Sequence, residues 1–300
     1  MVRSDVRILV VIVTYNGMKW LDRCLGSVRE SVVPADVIVI DNGSSDGSCE
    51  YIRANYPEVR LHCTGENFGF GKANNIGFEL ALEEGYDYIY LLNQDAWIFP
   101  DTFSSLVAAM EADSSYGVLS PMQMAADSDR PDPRFVRWCP EAALNDWKTL
   151  RQGTSVTSRI YEVKFVMAAH WMISRKCLQA VGGFSPSFSH YGEDDNYLHR
   201  ARYHKFRCGI LSVAGAVHDR EMRPMTKKAS MRLKCVASVV KISNPLNCLL
   251  CRLIVQPVEM LAIAIRYGSA YVLKEIFSMI GKYPLLVRNR RISKSPGAFL

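Results

Sequence analysis

Three hundred residues, 49% of them apolar, can bury a sizeable core as one large domain or one domain plus an appendage. Nine scattered cysteines, odd in number, exclude a regular disulfide framework; Cys248-x-x-Cys251 lacks the second pair that a structural zinc would need, and free thiols fit a reducing cytoplasm. The net charge of +6 divides unevenly: residues 221–300 hold 14 Lys/Arg against three Glu (+11), and residues 1–220 hold 22 basic against 27 acidic (−5).

The N-terminal Met1-Val2-Arg3-Ser4-Asp5-Val6-Arg7 runs directly into an apolar stretch with no small-residue cleavage site, which argues against a signal peptide. No window holds 18 uncharged apolar residues, so no membrane span is predicted. Val6 to Val13 reads as a strand and Trp20 to Glu30 as a helix, with Leu21, Cys24, Leu25 and Val28 at helical spacing. Val37 to Ile40 is a second strand. Ser48 is placed to cap a helix reaching Tyr56, and Val59 to Cys63 is a third strand. A helix over Gly71 to Glu84, a strand over Tyr88 to Leu92, a helix from Asp101 to Asp113 and a strand at Gly117 to Ser120 complete a βαβαβ rhythm. That rhythm predicts an α/β fold with a doubly wound, mostly parallel sheet flanked by helices.

Pro121 to Thr157 reads as a long irregular excursion. Order returns with Tyr161 to Ala169, followed by a helix over Lys176 to Val181, a helix from Asp194 to Phe206 and a strand at Cys208 to Val213. Acids open the Asp194 helix and Lys205 and Arg207 close it, matching the helix dipole. Beyond Met225 the chain reads as helical, with an apolar stripe of Leu253, Val255, Val258, Leu261, Ala262 and Ile265 between Arg252 and Arg266.

Several polar clusters stand where strands end, the edge at which open α/β sheets bind ligands. Thr14-Tyr15-Asn16 follows the first strand; Tyr15 could stack on a base or be a half-buried edge aromatic. Asp41-Asn42-Gly43-Ser44-Ser45-Asp46-Gly47-Ser48 follows the second, and is rich enough in turn formers to be only a loop. Asn67-x-Gly69, Lys72 and Asn75-x-Gly77 open the third helix; neither phosphate-loop fingerprint fits, which leaves a glycine-permitted approach to a helix start. Asn93-Gln94-Asp95 offers oxygen ligands suited to Mg²⁺ or Mn²⁺, with Asp101 the better helix cap and Asp95 left for function. Glu193-Asp194-Asp195 after Gly192 forms a second acidic cluster able to supply a base. His218 reads equally as a metal or phosphate contact and as a hydrogen-bonded structural histidine.

In their order along the chain, these motifs resemble the family 2 inverting glycosyltransferases of GT-A fold, especially the rhamnosyltransferase-like branch, over roughly residues 6 to 220. The resemblance implies a metal-dependent glycosyltransferase that moves a sugar from a nucleotide-diphosphate donor, of dTDP or UDP type, to a hydroxyl. The acceptor would be a glycan or lipid-linked molecule in cell-surface polysaccharide assembly. It places Thr14, Tyr15, Asn16, Asp41, Asn42, Asn67, Gly69, Lys72, Asn75 and Asn93 around the donor. Asp95 would hold the metal, Mg²⁺ or Mn²⁺, with His218 as the second candidate ligand. Asp194 would be the general base, helped by Glu193. Asn42 replaces the second acid of the common Asp-Asp-Gly-Ser form, and Asn93 replaces the first acid of the metal motif. No Gln-x-x-Arg-Trp follows the Glu-Asp element, which favours single transfer over polymerisation.

The expected organisation is a catalytic domain over residues 1–224, its nucleotide-sugar half about 1–120 and its acceptor half about 121–224, followed by a basic amphipathic helical extension over 225–300. Lys and Arg flanking apolar helices suit a membrane surface, with packing on the catalytic domain or on a second subunit as the alternatives. The expected location is the cytoplasm, at the inner membrane face if the tail binds lipid; homodimerisation stays open. Nucleic acid is not expected, because no reading motif accompanies the basic tail. The rivals are a sugar nucleotidyltransferase, which would want a basic Gly-rich loop after the first strand, and a catalytically silent sugar-nucleotide- or nucleic-acid-binding protein.

Overall fold

The computed structural model describes residues 5–221 and 226–300, so the expected boundary at 224/225 lies outside the described residues. The first half alternates as predicted: β1 (Ile8–Thr14), α1 (Met18–Arg29), β2 (Asp36–Asp41), α2 (Ser48–Asn55), β3 (Arg60–Cys63), α3 (Gly69–Glu83), β4 (Tyr88–Asn93), β5 (Ala96–Ile98) and α4 (Thr102–Ala112). The second half contains β6 (Tyr116–Met124), α5 (Glu141–Arg151), β7 (Ile160–Glu162), β8 (His170–Ser174), α6 (Arg175–Val181), α7 (Glu193–Tyr203) and β9 (Arg207–His218). Four helices follow: α8 (Lys227–Ser243), α9 (Leu249–Tyr267), α10 (Ala270–Gly281) and α11 (Tyr283–Ile292).

The strands form one sheet in the order β3-β2-β1-β4-β8-β6-β9-β5, with β7 added on β9. β1 pairs in parallel with β2 and β4, and β2 with β3. β8 runs against both β4 and β6, while β6 and β9 are parallel. Most strands therefore point one way, and their carboxyl ends share one edge.

Strand residues alternate between two cores, as a period of two requires. Leu9, Val11, Ile38, Ile40, Ile89 and Leu91 face Phe78 of α3, Leu178 of α6 and Tyr197 of α7. Ile8, Val10, Ile12, Val37, Val39 and Leu92 face Leu21 of α1, Ile52 of α2 and Phe103 of α4. Burial on both faces explains the near-continuous Val/Ile/Leu runs.

Several boundaries differ from the sequence reading. The excursion after Pro121 begins inside β6 and later contains α5. In the stretch where order is expected to return, Tyr161 to Ala169, the structure has only the end of the short β7, and the buried strand is β8 beyond it; β9 continues five residues past Val213. Ser48 is not the cap of α2. Gly47 holds that position at φ 86°, and the Ser48 hydroxyl donates to Asp46 (2.6 Å). Asp101 occupies the α4 cap position but makes no side-chain cap bond.

The basic extension has its own small core of Cys235, Ile242, Met260, Ala264, Val272, Ile276, Met279 and Leu286. It also packs on the sheet-containing part of the chain. Asn289 donates to Ser187 Oγ (2.9 Å), and the Gly183 amide donates to the Ala298 carbonyl (2.8 Å). The fully buried Arg200 donates to the carbonyls of Gly183 (2.5 Å), Val181 and Ala298 (3.5 Å), with the Phe299 ring 4.7 Å from its guanidinium. A buried guanidinium without carbonyl partners would be costly, so this network ties the chain's end to α6 and α7. No helix among the described residues is long and apolar enough to cross a membrane.

Candidate active site

The parallel register places the candidate residues side by side. Thr14 pairs with Asp41, and Val13 with Asn93, at the carboxyl edge of adjacent strands. Three polar loops therefore meet where the topology makes a crevice.

The first two loops are stitched together. The Asn16 amide donates to Ser44 Oγ (2.9 Å), the Ser45 amide donates to Asn16 Oδ1 (2.9 Å), and the Met18 amide donates to Asp46 Oδ2 (3.0 Å). Asn16 adopts φ 50°, a left-handed conformation that asparagine tolerates better than most residues. Gln94, given no separate role by the sequence, fastens the third loop to the first. Its Oε1 accepts from Thr14 Oγ1 (2.8 Å) and from the Tyr15 amide (2.8 Å). Gly17 leaves the space for this clamp, since a Cβ there would stand 2.5 Å from Gln94 Oε1.

What remains unpaired at this edge is acceptor-rich. Asp41 takes the Gly43 (3.1 Å) and Ser44 (3.0 Å) amides on Oδ1, while Oδ2 is buried with no hydrogen-bond partner. The Asn42 amide nitrogen reaches the Gly69 carbonyl (3.4 Å), and Oδ1 is likewise buried and unpaired. Tyr15 beside them is 49% exposed. Buried acceptors lacking donors are uncommon in folded proteins and call for a ligand that donates. Cys49 and Cys63 stand next to Asp41, their sulfurs 3.3 Å apart, and burial pushes the Cys49 thiol up to about 12. Protonated thiols are poor ligands for a hard cation.

A cleft of about 210 Å³ lies beyond β4, lined by Asn93, Phe70, Glu193, Asp194, His218 and Arg220 among others. α7 presents its acids here from an N-terminus whose dipole should lower their pKa values. Burial wins over the dipole. It pushes Glu193 up to about 7, Asp194 up to about 6 and Asp195 up to about 7, with mutual repulsion adding to the rise of Glu193 and Asp195. The Asp195 amide donates to Asp194 Oδ1 (2.9 Å), orienting that carboxylate. A carboxylate poised near neutrality in a cleft is the signature of a proton acceptor.

On the other side of the cleft, His218 ends β9 with Nε2 3.4 Å from Asp95 Oδ1. Burial works to raise Asp95, but the hydrogen bond and charge of His218 hold its carboxyl below the usual aspartate range. His218 Nδ1 is buried without a partner. His170 lies behind it, between Tyr90 (2.9 Å) and the Val217 carbonyl (3.0 Å), and burial pushes it down to about 3. His170 is a neutral packing residue. Neighbouring ligands on an octahedral ion with bonds of about 2.1 Å stand about 3 Å apart. The Asp95–His218 pair therefore fits two such positions with little movement.

Arg220 was not singled out by the sequence. It follows His218 by two residues, donates to the buried Asp132, and lies close enough to Asp95 and Asp194 to lower both electrostatically. It supplies a fixed cation at the cleft.

Other expected donor residues are committed elsewhere. Thr14 is fully buried with its hydroxyl on Gln94, and Asn16 serves the loop. Asn67 accepts the Gly69 amide (2.8 Å), closing a turn whose Gly69 has φ 77°. Lys72 points its ammonium over Phe68, 3.6 Å from the ring centre. Asn75 spends its amide on the Phe184 backbone, accepting at 2.7 Å and donating at 3.1 Å, and also donates to Phe299 (3.3 Å). The structure thus makes Asn75 a tie between α3, the 184 loop and Phe299.

A model of the family described as glycosyl transferase family 2 matches residues 9–182. The chain is 30% identical over 206 residues to an N-acetylglucosaminyl-diphospho-decaprenol L-rhamnosyltransferase of Mycobacterium tuberculosis, covering 62% of this chain and 67% of that protein. It is 35% identical over 146 residues to an undecaprenyl-phosphate mannosyltransferase of Micrococcus luteus, covering 47% of this chain and 56% of that one. Among solved structures it is similar to S. aureus TarS 1-349 in complex with UDP-GlcNAc (TM-score 0.58, 14% identity, 96% of this chain and 84% of that chain). It is also similar to the mannosyltransferase PcManGT from Pyrobaculum calidifontis in complex with GDP-Man and Mn²⁺ (TM-score 0.56, 16% identity, 98% and 86%). At these identities the structural likeness speaks for the fold.

Proposed function

The chain belongs to glycosyl transferase family 2, with a sheet of the GT-A type, and from that premise we propose how its residues perform the transfer. The donor is a nucleotide-diphosphate sugar of dTDP or UDP type. Tyr15 stacks on the base, and the unpaired Asp41 Oδ2 and Asn42 Oδ1 accept from base and ribose. Thymine and uracil present the same N3–H, so this pocket admits both. The acceptor is a hydroxyl on a glycan or lipid-linked molecule, a class that the names of the rhamnosyl- and mannosyltransferase relatives support.

The observation that carries the reading is a cleft lined by a near-neutral carboxylate, Asp194, and by His218, whose Nε2 stands 3.4 Å from Asp95 Oδ1. Asp194 takes the proton from the acceptor hydroxyl as its oxygen attacks the anomeric carbon from the face opposite the diphosphate. One displacement inverts the configuration. Glu193 beside it, raised to about 7, stays partly protonated at neutral pH and so limits repulsion against Asp194. Asp95 and His218 would hold Mn²⁺ or Mg²⁺, which when bound offsets charge on the departing diphosphate. Arg220 adds a fixed positive charge near the same place.

A thermal-shift panel of nucleotide diphosphates and their sugars, with and without Mn²⁺, tests this reading. A metal-dependent rise with a uracil or thymine nucleotide is expected, because ligands that bind only the folded state stabilise it. No rise with any nucleotide would favour a catalytically silent protein.

The extension supports a membrane-surface role. Leu250, Ile254, Val258, Leu261 and Ile265 form an exposed row on α9, and Leu273, Phe277 and Ile280 another on the neighbouring α10. Arg266, Lys274, Arg288 and Arg291 are exposed on the same helices and on α11. Apolar rows with basic neighbours match an anionic lipid surface. Substituting Ile254, Val258, Ile265 and Phe277 with Ser should abolish sedimentation with anionic liposomes and leave nucleotide binding intact. Undiminished sedimentation would remove this role.

A further inference from the structure

The loop that leads into the catalytic helix has two sides. One side of His190 and Tyr191 faces the cleft with Asp194. The same two residues also wall a second cavity, of about 330 Å³, between the catalytic domain and helices α8, α9 and α10. Its apolar wall includes Val236, Val239, Met260 and Met279, and Arg232 and Lys282 lie at it as exposed cations, against the single acid Glu275. The Arg232 guanidinium stands 5.7 Å from the Tyr191 ring. The cavity falls at the lower end of the usual ligand-pocket range, about 300 to 1,000 Å³.

Packing makes this cavity a fixed neighbour of the catalytic base. Gly192, the cap of α7, has φ 88°, and a Cβ there would meet Val236 Cγ1 at 2.7 Å and Val240 Cγ2 at 2.8 Å. α8 is therefore pressed directly against the residue before Glu193 and Asp194. A ligand in the cavity touches the loop that sets the base.

We propose that this cavity binds the phosphate-bearing, apolar chain of a lipid-linked acceptor, with Arg232 and Lys282 on the phosphate and the Val236–Met260–Met279 wall on the chain. The inference deepens the transferase reading and rests on it. An acceptor hydroxyl must reach Asp194, and what it is attached to must leave the cleft past His190 and Tyr191 or by another exit. The cavity on the far side of those residues offers both chemistries that such a tether carries, the cations Arg232 and Lys282 and the apolar side chains of Val236, Val239, Met260 and Met279, within a mixed lining that also holds Ser187, Ser189 and Ser278. The extension then completes the acceptor site rather than only covering the domain.

Calorimetry on the full chain tests this with farnesyl diphosphate as the probe, and with pyrophosphate and farnesol as the two half-probes. Farnesyl diphosphate should bind in the presence of saturating UDP and Mn²⁺, and more tightly than either half. The double variant R232A/K282A should weaken it by about tenfold or more, because two charge-assisted contacts are lost. UDP affinity should be unchanged, which also reports that the variant is folded. Displacement of farnesyl diphosphate by UDP, pyrophosphate binding as tightly, or equal affinity in the variant would each overturn the proposal. Failure of both UDP and dTDP to bind the unmodified chain would overturn the donor reading instead.

Discussion

Replacing Asp194 with Asn should remove activity and make the protein more stable, and the two effects share one cause. Burial lifts this carboxyl from an ordinary value of 3.8 to about 6. That rise, at about 1.4 kcal/mol for each tenfold change in proton affinity, sets a ceiling of about 3 kcal/mol on what the charged form costs the folded state. The side chain retains some exposure, so about 1–3 kcal/mol is the expected relief. The folded state holds the proton more tightly than the unfolded one. The stability linked to this group is thus fully present below about pH 4 and lost as pH rises through about 6. The Asp194→Asn variant, whose amide cannot ionise, should match the wild type at pH 4 and exceed it at pH 8, by about 2–4 °C in Tm for each kcal/mol. Transfer should fall by about 10²–10⁴, the usual worth of a general base, with donor affinity within a few fold. Wild-type kcat should rise with pH through about 6 and then level. Two measurements decide the matter: Tm against pH for both proteins, and sugar transfer to an acceptor. A variant less stable at pH 8 would refute the burial argument, and comparable turnover would remove Asp194 from the role.

Three further outcomes follow from the geometry. Asp95→Ala should weaken donor binding in the presence of Mn²⁺ much more than in its absence, and unchanged calorimetric affinity would sink the metal assignment. Asn75→Ala should cost about 1–3 kcal/mol through buried Phe184 backbone groups left unpaired, with nucleotide affinity preserved; reduced nucleotide affinity at unchanged stability would return Asn75 to the donor site. Gly192→Ala should destabilise by about 1–3 kcal/mol, combining a strained positive φ with overlap on Val236 and Val240, and should lower kcat by misplacing α7. Wild-type stability and turnover would mean that α8 yields easily at that contact.

The parts of the fold that were legible in the sequence are those whose signal is local. β1, β2 and β4 are runs of apolar residues buried on both faces, and each ends in a polar cluster that the parallel register then brings to one edge. Asp41, Asn93, Asp194 and His218 are candidates because each stands at such an end or at a helix start. What was not legible has the opposite property. Asn75 and Thr14 carry side chains of the right chemistry, but residues 109 and 80 positions away, Phe184 and Gln94, consume them. β8 was missed because its pattern, His170-Trp171-Met172-Ile173-Ser174, includes a histidine whose burial is tolerable only with the Tyr90 hydroxyl and the Val217 carbonyl in place. Arg220 looked like one charge in a mixed run, and only the distant, buried Asp132 fixes it beside the cleft. The extension shows both behaviours at once. Its amphipathic stripe was visible as spacing, yet its docking depends on Gly192, Arg200 and Ala298, three residues that share no local pattern. Helix α7 is thus held from behind by the segment whose composition alone suggested a separate role. Any loosening of α8, on a lipid surface or by mutation, should reach Asp194 through the Gly192 contact.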